Sequence, residues 1–93
     1  MTTLAVQHRL AIDAGNTRVK LGLFACSRSR PRGELPRCVE RAVVLSQEPL
    51  PWELLAQWQS AAGGWQPVVI AGSNPRDVER VQADWPSSLG SVP

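Results

Sequence analysis

The residues with the most chemistry to offer sit close together near the amino terminus: Asp13, Gly15, Asn16, Thr17 and Lys20, within the stretch LAIDAGNTRVKLGLF at positions 10–24. Small residues at a tight corner let backbone N–H groups face an anion with no side chain in the way, as phosphate-binding loops do. Thr17 adds a hydroxyl. Asn16 adds an amide that either donates to phosphate or tolerates a left-handed backbone, and Lys20 supplies the counter-charge. Asp13 would repel a phosphate unless a cation stood between them. Mg2+, held by one or two carboxylates together with phosphate oxygens and waters, meets that need. The same residues also fit an ordinary hairpin, with Asp13 hydrogen-bonded to its own turn and Lys20 pointing into water.

Two strands must carry this corner. RLAIDAG, from Arg9, is apolar on both faces until its last carboxylate, which predicts a central strand. Residues 18–24 alternate as a second strand, antiparallel to the first through the Gly-Asn corner. Residues 27–37, rich in arginine, proline and glycine, have no period and read as a loop, and Val-rich RCVERAVVL at 37–45 reads as a third strand. Positions 51–62 place Trp52, Leu55 and Ala56 at helical spacing, with proline in the first turn and Gly63 and Gly64 after the end. VVIAG at 68–72 predicts a buried strand. Ser73, Asn74 and Pro75 then predict a capped helix start, with Asp77 and Glu79 in the first turn and an end before Pro86. The tail, 87–93, has little to hold it and is expected to be flexible.

A chain of 93 residues supports one core. Hydrophobic residues at 43% and charged residues at 19% predict a globular, soluble protein. No apolar run approaches the roughly 20 residues that span a bilayer, and MTTLAVQHRL lacks the order of a signal peptide, so a cytoplasmic location without a membrane partner is expected. Cys26 and Cys38 are then expected as free thiols, and with His8 they are too few for a structural zinc site. His8 itself reads as a solvated residue ahead of the first strand.

The corner resembles the first phosphate motif of the type III pantothenate kinases, the family that includes Bvg accessory factor-like proteins, within the sugar kinase and actin superfamily. That motif runs Asp-x-Gly-Asn-Thr/Ser, with a lysine shortly after and a Gly-Leu-Phe-like strand end. Asp13, Gly15, Asn16, Thr17, Lys20 and Gly22 match it. The order strand-strand-strand-helix-strand-helix also resembles the superfamily's first lobe, whose core is ribonuclease H-like. VVIAGSNPRDVERV sits where the family has a strand, Ser-Val-x-Pro-like residues and a helix, but reads Gly72-Ser73-Asn74-Pro75 here.

The resemblance implies an α/β fold: a truncated ribonuclease H-like first lobe, with a partial N-terminal actin-like ATPase lobe over 1–86 and a tail over 87–93. It implies transfer of the ATP γ-phosphate to a hydroxyl of pantothenate, the first step of coenzyme A synthesis, with Mg2+ and a monovalent cation, K+ or NH4+. Asp13 would help hold the metal, and Gly15, Asn16, Thr17 and Lys20 would line the phosphates. Family members are homodimers more than twice this long. Their pantothenate-binding segment, catalytic aspartate and second phosphate motif follow beyond the equivalent of Pro93. Asp77 and Asp84 have no glycine and threonine beside them, so no catalytic base is named. The 93 residues are expected to be inactive alone.

Two other functions compete. A non-catalytic binding or regulatory module, related to the Bvg accessory factor family, would use an uncovered sheet face or edge. Trp52 and Trp58 read as core residues, while Trp65 and Trp85 fit either core or contact. Arg28, Arg30, Arg32, Arg37 and Arg41 suggest a nucleic-acid patch, but Glu34 and Glu40 interrupt it, no aromatic is interleaved, and the net charge is only +2.

Overall fold

The computed structural model describes residues 6–27, 35–65 and 68–93. Four strands form one mixed sheet: β1 (Val6–Ala14), β2 (Arg18–Ser27), β3 (Arg37–Leu45) and β4 (Val69–Ala71), in the order β3-β2-β1-β4. β1 pairs antiparallel with β2 and parallel with β4, so β1 is central, as its apolar run predicts. β2 and β3 are antiparallel, with a bulge after Leu23 that leaves Val39 as the extra residue and re-phases the start of β3. Two helices, α1 (Trp52–Ala62) and α2 (Pro75–Asp84), follow β3 and β4, and a short 3-10 turn, Ser87–Leu89, comes last. The protein is thus a small α/β domain of two layers.

Both helices cover the same face of the sheet. Leu10, Ile12 and Ala14 of β1 and Val19, Leu21 and Leu23 of β2 form one core with Leu55 and Trp58 of α1, Val81 of α2, and Leu50, Trp85 and Leu89. Strand alternation sends Ala11, Asp13, Lys20, Gly22, Val43, Val69 and Ala71 to the other face, which no element among the described residues covers. The expectation of a buried β4 is therefore corrected: Ile70 is half-buried, while Val69 and Ala71 are exposed. An apolar run cannot tell the sequence reader whether one face or two are covered.

Local signals set the helix ends. α1 starts after Pro51 and stops at Gly63, whose φ of 74° is left-handed. Its buried residues are Leu55 and Trp58, whereas Ala56, expected on the same stripe, is exposed. α2 begins as predicted, with Pro75 in its first turn and the Asn74 side chain accepting from the Asp77 N–H; Glu79 falls beyond that turn. All four tryptophans pack inward. Trp58 and Trp85 are in the core, the Trp52 and Trp85 rings meet edge to face at 5.7 Å, and the Trp65 indole N–H donates to the Leu89 carbonyl.

Two further expectations change. His8 lies within β1, half-buried beside Leu54 and Trp58 of α1, because the strand starts earlier than its apolar run suggests. The tail does have something to hold it: Leu89 is buried, and the Gln82 side-chain amide donates to the Pro93 carbonyl. Arg28, Arg30, Arg32 and Glu34 of the arginine-rich loop lie outside the described residues, and Arg37 and Arg41 are exposed on β3. Cys26 and Cys38 are free. Among the described residues, no helix is long and apolar enough to cross a membrane.

Candidate functional site

One end of the sheet gathers the candidate residues. β1 and β4 run parallel and finish there, and three segments converge: the corner at 15–17, the turn from Ser46 that follows β3, and the start of α2. The carboxyl ends of parallel strands are where open α/β sheets usually place ligands.

The corner is built by backbone pairing. The Gly15 N–H donates to the Arg18 carbonyl at 2.8 Å, and the Thr17 carbonyl accepts from the Ser46 N–H at 2.9 Å. Neither Gly15, Asn16 nor Thr17 adopts positive φ, so the left-handed corner allowed for by the sequence is not used. A Cβ at Gly15 would sit 3.2 Å from the Arg18 carbonyl oxygen, a tight approach that the glycine avoids. With its N–H consumed inside the turn, Gly15 has none left for an anion. The Asn16 and Thr17 N–H groups have no protein acceptor among the described residues, and both residues are exposed. Of the corner's backbone N–H groups, those of Asn16 and Thr17 are therefore the ones available to an anion.

Asp13 and Lys20 stand directly opposite one another on β1 and β2, both exposed on the open face. Among the described residues, no hydrogen bond to the Asp13 carboxylate is found, so it is not tied to its own turn. Its two lone-pair-rich oxygens are available to a cation, as Mg2+ binding through one carboxylate and phosphates would need. No group of three His, Cys, Asp or Glu side chains placed to hold a metal ion occurs among the described residues. Gly22, the last motif residue, serves packing: the Phe24 ring lies over it, and a Cβ at Gly22 would come within 2.9 Å of that ring.

Behind the corner is a polar bracket that the sequence did not disclose. Asp77 is 4% exposed and accepts from the Ser46 hydroxyl at 2.5 Å, the Asn74 amide at 3.2 Å and Arg80 Nε at 3.2 Å. Arg80 also donates to the Glu48 carbonyl at 2.7 Å. A buried carboxylate is tolerable only with such donors around it. The Asn74 N–H donates to the Ala14 carbonyl at 3.2 Å, joining the start of α2 to the strand that leads into the corner. Gly72 permits this approach: its φ is 150°, and a Cβ would overlap the Ala14 backbone at 2.1 Å. Asn74 followed three residues later by Asp77 was a visible capping signal, but nothing local could pair Asp77 with Ser46, 31 residues earlier.

Comparison with protein-family models, with curated proteins and with solved structures returned no match. The site's chemistry consequently rests on the residues themselves: a tethered turn with a hydroxyl and two N–H groups that have no acceptor among the described residues, one unengaged carboxylate and one lysine.

Proposed function

We propose that the corner at 15–17 binds the phosphates of Mg-ATP and that the chain is the N-terminal part of a phosphotransferase resembling type III pantothenate kinase. The observation that carries this reading is an unengaged Asp13 opposite Lys20, beside two N–H groups with no acceptor among the described residues, at the end of the sheet where β1 and β4 finish. The strand order β3-β2-β1-β4, with β4 parallel to β1, supports a ribonuclease H-like first lobe. The Asn16 and Thr17 N–H groups and the Thr17 hydroxyl would meet phosphate oxygens, Lys20 would neutralise their charge, and Asp13 would hold Mg2+. A bound Mg2+ would offset the charge of the phosphates during transfer of the γ-phosphoryl to a pantothenate hydroxyl.

No residue in the 93 is assigned to activate the acceptor hydroxyl, so the chain by itself is expected to bind nucleotide weakly and to leave pantothenate unphosphorylated. Calorimetric titration with Mg-ATP is the check. Millimolar affinity that falls about tenfold in Lys20→Ala, as loss of a charge-assisted contact predicts, supports the reading. Equal affinity of the parent and Lys20→Ala, or no binding by either, rejects it.

A further inference from the structure

The uncovered face of the sheet has a shape and charge of its own. A concavity of about 690 Å³ lies over the sheet residues, with Ala11 and the Phe24 ring, which lies over Gly22, at its floor and Val43 and Val69 at its sides. Val43 and Val69, on the two outermost strands, are 55% and 53% exposed, a large apolar exposure for one face of a sheet. β1 and β2 contribute Ala11 and Phe24 between the valines that the outer strands β3 and β4 present. Three strand spacings separate β3 from β4, roughly 14 Å, which admits one α-helix of about 10–12 Å diameter.

The border of this groove is basic. Lys20 and Arg41 line it, and strand alternation puts Arg9 and Arg18 on the same face, with Asp13 the one acid among these positions. A second copy of the chain laid face to face would bring like charges together, which costs several kcal/mol in an interface. A nucleic-acid backbone would satisfy the arginines but leave the valines in water.

We propose that this face docks an amphipathic helix of a partner protein, with an apolar stripe seated over Ala11, Phe24, Val43 and Val69 and acidic residues along its flanks. The helix buries the valines, and its acids pair with Arg41 and Lys20. The apolar seat uses none of the corner residues; Lys20 is named in both readings, and the substitutions that test the helix, at Val43 and Arg41, leave it in place.

The test is affinity selection by the 93-residue protein from two displayed libraries of helical peptides, alike in their varied apolar stripe but flanked by glutamate in one and lysine in the other. Enrichment from the glutamate library is expected. Selected peptides should bind at least about tenfold more weakly to Val43→Glu and to Arg41→Glu, a change of about 1.4 kcal/mol. Both substitutions are at exposed positions, and an unchanged circular dichroism spectrum and melting temperature will verify the fold. Failure to enrich glutamate-flanked peptides, or binding that survives both substitutions, overturns the proposal. So does concentration-dependent dimerisation in sedimentation that Val43→Glu abolishes, because the occupant would then be a second copy.

Discussion

Two aspartates near the same end of the sheet have opposite surroundings. Asp77, on the helix-covered side, is buried and engaged by Ser46, Asn74 and Arg80. Asp13, on the open side, is exposed, faces Lys20 across the strand pair, and has no hydrogen-bond donor among the described residues. One carboxylate is committed to holding the fold together, and the other is engaged by no donor among the described residues. The contrast extends to the two faces of the sheet, one consolidated by a continuous core and the other carrying exposed valines beside basic residues.

The largest effect is expected at the committed carboxylate. Asp77→Ala should destabilise the protein by about 2–3 kcal/mol in urea unfolding, because three donors lose their acceptor and the corner loses its bracket. A loss near zero would mean that the bracket is ornamental and that the contrast between the aspartates is false. The faces can be compared with one substitution made twice. Val19→Thr places a hydroxyl in the core and should cost about 2 kcal/mol, whereas Val43→Thr, on the open face, should stay within about 0.5 kcal/mol. Equal costs would show that the open face is covered in solution. Smallest of all should be Asp13→Asn, which is expected to change stability by no more than about 0.5 kcal/mol, as for an exposed cross-strand charge pair.

Much of the scaffold was legible because it is written in local signals. RCVERAVVL is bounded by turn residues and forms a strand over the predicted span, Arg37–Leu45. Gly63 stops α1 and Asn74-Pro75 starts α2, since caps depend on one or two residues and their backbone preferences. The corner's position was equally plain, but its inner hydrogen bonding was not: only the closed turn reveals that the Gly15 N–H is spent on the Arg18 carbonyl. Pairings between distant segments were hidden for the same reason. Ser46 with Asp77, Gly72 against Ala14, and Leu89 under Trp65 arise from the meeting of separate elements, to which periodicity is blind. The bareness of one sheet face belongs to this class too, because Val69 and Ile70 look alike in sequence yet face opposite ways.

The central claim is that the corner and Asp13 together receive a metal-bound phosphate. Amide chemical shifts of the 15N-labelled protein, followed through titration with ATP in the presence and absence of Mg2+, test it most directly. The account predicts saturable shifts centred on Asn16 and Thr17 that depend on Mg2+, with that dependence lost in Asp13→Asn while the melting temperature holds. Shifts absent from residues 15–20 at millimolar Mg-ATP, or unchanged by Asp13→Asn, would contradict it and leave the corner a hairpin turn alone.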